Sequence, residues 1–215
     1  MGKKCDPVTP KRFPPDVPRN PDLSNPSAFG TGSNDPEILI RLGRLVVSWT
    51  ALEEQMIGVF AKLMGADHSA PVREVFRSII NQREKIKMMR HLLERLERNA
   101  SLPPYYDFII DEFERLNAAR NGFVHGLWWN SADDSYLSKT EPGNHPFHSV
   151  TRKVKPKELQ SHLDAMARLS DLIVAANFVD LGASFPADFE ERLHSRLNEA
   201  SNEWRRRKAQ KSRKS

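Results

Sequence analysis

Apolar residues recur every three or four positions through most of the chain, which is the spacing of amphipathic helices. The first stretch runs from Pro36 to about Met64, with Asp35 placed to cap it and Gly65 placed to end it. The polar run Asn81-Gln82-Arg83 interrupts the second stretch and is expected to bend it. The second and later predicted helices cover 71–99, 104–123, 156–181 and 186–207.

Residues 127–154 break this helical spacing. Turn signals at 131–134 and 142–144 separate short runs of aromatic and β-branched residues, which predicts two or three short strands. The predicted fold class is therefore mainly α: an up-and-down bundle of four to five helices with a small β insert after the third helix.

The two ends of the chain differ in composition from its middle. Residues 1–35 hold seven prolines and few apolar groups, so we expect a disordered, proline-rich arm there. The helical domain is expected over 36–207 and a basic tail over 208–215. A single cysteine excludes a disulfide framework and fits a reducing, cytoplasmic compartment. No apolar run is long enough to cross a bilayer, so we expect no membrane partner.

Positive charge is concentrated near the C-terminal end. The chain has a net charge of +5, and seven of its 33 basic residues lie within 205–215, where there is no acidic residue. Arg205, Arg206, Arg207 and Lys208 are therefore candidates for binding a phosphate-rich partner such as RNA. A solubilising terminus that binds nothing would explain the same charge.

One arginine lies where an apolar residue is expected. On a helical wheel of residues 104–123, Arg120 falls one heptad after Phe113, in the middle of the apolar stripe. A guanidinium stays protonated, so it needs an anion or strong acceptors around it. Arg120 is therefore part of a buried ion pair within the fold, an arginine whose charged end reaches solvent at the helix end, or a residue that holds an anionic ligand.

His125 follows Arg120 five residues later. In an unbroken helix the two side chains would diverge, but Gly122 and Gly126 could relax the helix end and let both converge on one ligand. The alternative is a histidine that caps the helix or fills the core. The Arg-x4-His spacing is common by chance, so its surroundings decide its value.

The surroundings of this pair are distinctive. In the segment Asn117–Gly126 an Asn follows the Arg and a Gly follows the His, at the end of an amphipathic helix. The segment resembles the Arg-x4-His motif of the HEPN superfamily in its Arg-Asn-x3-His form. The likeness covers about Ile38 to Leu181, includes Trp49-Thr50-Ala51-Leu52-Glu53 in the long first helix, and points to a bacterial family of small standalone HEPN-like proteins.

The resemblance implies a helical bundle that forms a homodimer and brings two such motifs together in a cleft. It implies an endoribonuclease that needs no metal or other cofactor, in a phage-defence or toxin–antitoxin setting, with a protein antitoxin or regulator as a further partner. The alternative is a non-catalytic helical module that binds nucleic acid or a protein partner.

The resemblance also implies a role for each residue of the motif. His125 would act as the general acid/base at the RNA 2′-OH and the leaving 5′-oxygen, Arg120 would hold the scissile phosphate, and Asn121 would help to set their geometry. The chemistry suits these roles, because an imidazole titrates near neutral pH and a guanidinium matches phosphate oxygens with two parallel hydrogen bonds.

Glu53 is a candidate accessory residue. On the wheel of the first helix it lies at the flank of the apolar stripe, whereas Glu54 faces away from it. Glu53 could therefore reach a partly buried Arg120 and orient it, or it is a surface glutamate without a role.

Other chemical signals are weaker. His145 and His148 flank Pro146 near two aspartates, but the proline argues against a helical histidine pair, so no metal site is predicted. Trp128 and Trp129 would either fill the core or stack on bases beside the site. Phosphate-binding loops, dinucleotide-binding fingerprints and nucleophile elbows do not occur in the sequence.

Overall fold

The computed structural model describes residues 35–66, 70–97, 102–131, 134–140, 149–180 and 186–213. Within them the chain is mainly α, as predicted, with six helices and one three-stranded sheet. The proline-rich arm predicted over 1–35 lies outside the described residues, apart from Asp35. The elements are α1 (Pro36–Leu63), α2 (Ala70–Ser78), α3 (Gln82–Glu97), α4 (Tyr105–His125), β1 (Leu127–Ser131), β2 (Asp134–Thr140), β3 (Ser149–Val154), α5 (Pro156–Asp180) and α6 (Ala187–Ser212).

Both ends of α1 follow the sequence signals. The Asp35 carboxylate accepts a hydrogen bond from the Glu37 backbone N–H at 2.8 Å, and Pro36 occupies the first helical position. After the helix, Gly65 has a φ of 64°, a left-handed conformation that a residue with a side chain adopts only at a cost.

The predicted second helix is two helices. α2 ends at Ser78, and Asn81 then accepts a hydrogen bond from the Arg83 backbone N–H at 2.9 Å through its side chain, as an N-cap does. The prediction of one bent helix was therefore wrong, because an asparagine that caps a new helix start competes with helix continuation. The bundle consequently exceeds the predicted four to five helices, and the sheet follows the fourth helix.

The core lies between α1, α4 and α5. α1 makes its most extensive contact with α5, and the two helices approach closely where a Cβ on Gly58 would come within 2.6 Å of the Asn177 side chain. Trp49 of α1 stacks on Phe113 of α4, with 4.7 Å between the ring centroids. No helix of the described residues has the length and apolar character needed to span a membrane.

The sheet is a small antiparallel meander in the order β1-β2-β3. Trp128 of β1 is buried opposite Leu137 of β2, and its indole Nε1–H donates to the Phe123 carbonyl at 2.9 Å. Trp128 is therefore a core residue that attaches the sheet to the end of α4, and it is not a stacking platform. The side chain of Trp129 lies outside the described residues.

The last helix is longer than predicted. α6 continues to Ser212, so the expected boundary between the helical domain at 207 and the basic tail at 208 falls inside a helix. Arginine and lysine are good helix formers, which explains how a basic run continues a helix without a break.

Candidate functional site

The last two turns of α4 carry Arg120, Asn121 and His125, and the helix ends at Gly126. A Cβ at Gly126 would collide with the Leu137 side chain and would lie 2.5 Å from the Gly122 carbonyl oxygen. A glycine at this position therefore lets the sheet approach the helix end closely, which fixes the sheet beside the Arg120–His125 pair.

The three side chains meet within a single chain. Nη1 of Arg120 donates to Oδ1 of Asn121 at 2.9 Å and lies 3.3 Å from Nε2 of His125. In a hydrogen bond between these two groups the guanidinium is the donor and Nε2 is the acceptor, because a guanidinium can only donate. A proton-accepting nitrogen and a fixed cation are thus adjacent.

The route to this convergence differs from the prediction. α4 is helical without a break as far as His125, so the helix end is not relaxed, and a Cβ on Gly122 would meet nothing within 4 Å. The expectation that an unbroken helix separates the two side chains was wrong, because the long side chain of Arg120 crosses the intervening turn.

The guanidinium of Arg120 has no carboxylate partner among the described residues. The residue is partly exposed, and Asn121 and His125 are exposed. The Nε of Arg120 is buried and has no hydrogen-bond acceptor within the described part of the chain. Among the described residues Arg120 is therefore a cation without a carboxylate against it, at a partly exposed helix end. This differs from a buried ion pair and fits either an arginine that reaches solvent or one that holds an anion.

Glu53 does not orient Arg120. Its carboxylate forms an ion pair with Lys85 of α3, whose ammonium is buried and lies 4.7 Å from the centroid of the Phe76 ring. The wheel placed Glu53 at the flank of the core correctly, but the neighbouring element there is α3. The proposed accessory role is thus corrected to a structural one.

Arg207 is committed to an ion pair within the fold. It donates to Glu112 of α4 and to Glu203, and its guanidinium carbon lies 5.0 Å from the centroid of the Phe108 ring. Burial alone would raise the pKa of Glu112, but hydrogen bonds from Arg115 and Arg207 outweigh it and hold that pKa below its usual value. Arg207 is therefore removed from the predicted nucleic-acid interface.

The other three basic residues predicted to bind nucleic acid remain on the surface of α6. Arg205 is exposed and donates to the Asn202 side chain at 3.2 Å, and Arg206 is exposed. The ammonium of Lys208 lies 4.5 Å from the centroid of a Trp204 ring. These three cations are available to a polyanion, and their role stays a prediction.

Two residues near the site were missed in the sequence. His162 of α5 is buried and packs edge-on against the Phe123 ring at 5.7 Å, and Arg152 of β3 lies 5.5 Å from the same ring. Burial, followed by repulsion from Arg115, lowers the pKa of His162. A helical wheel of α5 would have found His162, because it falls within the stripe formed by Leu159 and Met166.

Metal binding has no support within the described part of the chain. No group of three or more metal-ligating side chains comes together there. His145 and His148 lie outside the described residues. Arg120, Asn121 and His125 include a single metal-ligating side chain, which fits proton transfer and anion binding better than metal coordination.

Comparisons of the chain with protein-family models, with curated proteins and with solved structures find no significant match. The case for a function therefore depends on the geometry of this site and on the motif that it contains.

Proposed function

We propose that this protein is a HEPN-like, metal-independent endoribonuclease with Arg120 and His125 as its catalytic residues. The observation that carries the proposal is the 3.3 Å contact between Arg120 Nη1 and His125 Nε2, in a pair that no carboxylate neutralises among the described residues. A cytoplasmic, homodimeric enzyme in a defence or toxin–antitoxin system, held in check by an antitoxin or regulator, is the setting that fits the motif.

The chemistry follows from the atoms present. Nε2 of His125 takes the proton of an RNA 2′-OH while the 2′-oxygen attacks the adjacent phosphorus. The bond from phosphorus to the 5′-oxygen breaks, and the imidazolium returns its proton to that leaving oxygen. Arg120 donates to the phosphate oxygens, on which negative charge develops during the attack. The products are a 2′,3′-cyclic phosphate and a 5′-hydroxyl.

Arg120 is placed to change partners when RNA binds. Its Nη1 lies against an imidazole nitrogen, which carries no negative charge, whereas a phosphate oxygen is anionic and accepts a stronger hydrogen bond from the guanidinium. A bound phosphate would therefore draw Arg120 away from Nε2 and free the lone pair of His125 for the 2′-OH. Asn121, which accepts from the same Nη1 at 2.9 Å, limits how far the guanidinium moves.

The non-catalytic alternative explains the site less well. It treats Arg120 as half of a structural ion pair, which requires a carboxylate against the guanidinium, and none contacts it within the described residues. His125 is exposed, so it does not fill the core, which was the other structural role considered for it.

The test is cleavage of total cellular RNA by the purified protein in EDTA, with product ends identified chemically. We expect cleavage to persist in the chelator, to leave cyclic phosphate ends, and to spare DNA, which lacks the 2′-OH. The His125→Ala variant should lose roughly 10²- to 10⁴-fold in rate, the usual contribution of a general acid/base.

The variant also serves as the control for purity. Equal cleavage by the parent and by His125→Ala would identify a contaminating nuclease and would reject the proposal. A parent protein that binds RNA without cleaving it, at any of several pH values and RNA substrates, would support the non-catalytic alternative instead.

A further inference from the structure

Two buried side-chain atoms of α4 lack a hydrogen-bond partner within the described residues. One is Oδ1 of Asn117, an acceptor, and the other is Nε of Arg120, whose N–H is a donor. Buried polar atoms are nearly always paired, and one without a partner destabilises the fold. An unpaired acceptor and an unpaired donor on the same helix, in the segment that carries the proposed catalytic pair, therefore require an explanation.

The two atoms are complementary and belong to neighbouring positions of the helix. Asn117 and Arg120 are three residues apart in α4, so their Cβ atoms are separated by about 5–6 Å on the helix surface. In the common helical rotamers a long side chain points back toward the preceding turn, which here is the turn that carries Asn117. A hydrogen bond from Arg120 Nε to Asn117 Oδ1 thus requires a change of rotamer and no movement of the helix.

Burial indicates that the donor to Asn117 comes from the protein and not from a substrate. Asn117 is only 8% exposed, and its Oδ1 is shielded from solvent. Nε of Arg41 on α1 is also buried without a partner in the described residues, but Nη1 of Arg41 is held at 3.0 Å by the Glu37 carboxylate of its own helix. The guanidinium of Arg120 has no carboxylate against it among the described residues, so it is the donor that can turn.

We propose that Asn117 is a positioning residue for Arg120 in the RNA-bound state. The inference rests on the proposed function and adds a residue to it. When the guanidinium leaves His125 for a phosphate, Nε of Arg120 donates to Oδ1 of Asn117, and both unpaired atoms gain a partner. This hydrogen bond fixes the plane of the guanidinium, so that its remaining N–H groups point at the phosphate oxygens.

A hydrogen bond that forms only with phosphate in place raises the rate without stabilising the free protein. Interactions that are made in the transition state and not before it are the ones that accelerate a reaction. Asn117 differs in this respect from Asn121, which already accepts from Arg120 Nη1 at 2.9 Å in the free protein. The two asparagines thus hold the same arginine in different states.

The first test is single-turnover cleavage of RNA by Asn117→Leu, which replaces the amide with an apolar group of similar size. We expect the rate to fall roughly 10-fold, the contribution of one hydrogen bond to a charged group. The free energy of unfolding in urea should stay at the parent value or rise, because the lost acceptor has no donor among the described residues. The matched control is Gln82→Leu, which removes a buried acceptor of α3 that also lacks a described partner and should leave cleavage unchanged.

The second test determines whether Asn117 acts through Arg120. A lysine at position 120 keeps the positive charge but has no donor at the position of Nε. In an Arg120→Lys background, Asn117→Leu should therefore cause no further loss of rate. A purely structural asparagine would cause the same loss in both backgrounds. Asn117→Ala gives the same comparison if the leucine variant does not fold.

The same two backgrounds can be compared without cleavage. A single-stranded DNA oligonucleotide presents phosphates but no 2′-OH, so the protein should bind it and leave it intact. We expect Asn117→Leu to raise its dissociation constant roughly 3- to 10-fold beside Arg120 and to leave it unchanged in Arg120→Lys.

Three results would overturn the inference. RNA cleavage that Asn117→Leu leaves unchanged would remove the role of Asn117 and keep the proposed function. An equal loss in both backgrounds would mean that Asn117 acts on the fold. A parent protein that neither binds the oligonucleotide nor cleaves RNA would reject both proposals. If the parent binds without cleaving, the proposed function fails, and the dissociation constants in the two backgrounds decide on Asn117 alone.

Discussion

Two arginines of this protein occupy opposite situations. Arg207 on α6 donates to Glu112 and Glu203, and the carboxylate of Glu112 also accepts from Arg115. Arg120 on α4 contacts an amide oxygen and an imidazole, with no carboxylate against it among the described residues. The comparison teaches that an arginine's surroundings, and not its position in a basic run or an apolar stripe, separate a structural cation from one that is available to a ligand.

The largest effect expected from this difference concerns activity. Arg120→Ala should lower the rate of RNA cleavage roughly 10²- to 10³-fold, because in the proposed mechanism it removes the donor to the charge that develops on phosphate. Its free energy of unfolding should stay within about 0.5 kcal/mol of the parent value or rise, since no carboxylate of the described residues loses its partner. Single-turnover cleavage and urea unfolding measure the two quantities. A strongly destabilised Arg120→Ala protein would place Arg120 in the structural class with Arg207.

Substitution of the ion-paired arginine, Arg207, should lower stability and leave cleavage unchanged. Arg207→Ala should lower the free energy of unfolding by about 2 kcal/mol, because a nearly buried carboxylate of Glu112 loses one of two charged donors. Cleavage by the folded protein should be unchanged. Urea unfolding beside Arg206→Ala, an exposed residue of the same helix, provides the matched comparison. Equal stabilities of these two variants would contradict the structural role of Arg207.

A smaller effect is expected at Asn121, the acceptor beside Arg120. Asn121→Ala removes the 2.9 Å acceptor of Arg120 Nη1, so the guanidinium is positioned less well. We expect a loss of roughly 2- to 10-fold in cleavage rate, the value of one ordinary hydrogen bond. Asn202→Ala, which removes the acceptor of Arg205 on α6, should leave the rate unchanged. A loss in both variants would point to a general disturbance of the fold.

The smallest expected effect concerns pH. Burial lowers the pKa of His162 below its ordinary 6.5, so the unfolded chain binds a proton that the folded chain does not. As far as His162 is concerned, the free energy of unfolding is therefore highest above about pH 6.5 and falls as the pH drops below it. The His162→Leu variant should show a flatter dependence between pH 7 and 5.5 in thermal unfolding. An unchanged slope would mean that other groups set the acid response.

Much of the fold could be predicted because periodicity and capping are local properties. Asp35 and Gly65 mark the ends of α1 by their own hydrogen bonding and backbone conformation. Asn81 was noticed as an interruption, but whether a polar residue bends a helix or caps a new one depends on how the next helix packs. The basic run was assigned to a separate tail because of its charge, although arginine and lysine are good helix formers. Its contact with Glu112, a residue distant in the sequence, could not be predicted.

The residues of the site could be predicted from the sequence, but not all of the contacts that they make. Arg120, Asn121 and His125 were found from their spacing and from the position of Arg120 in the apolar stripe. A helical wheel gives the direction of a Cβ, but it ignores the reach of a long side chain, so it placed Arg120 and His125 apart. It also does not identify the neighbouring helix, which is why Glu53 was assigned to Arg120 and is found against Lys85.

The extensive contact between α1 and α5 has a consequence during synthesis of the chain. At roughly 5–20 residues per second, α1 leaves the ribosome on the order of ten seconds before α5 is complete. Throughout that interval the inner apolar face of α1 is exposed, because α5, which makes the most extensive contact with it, is not yet complete. Aggregation during expression should therefore depend more on the aliphatic residues of α1 than on those of any later helix.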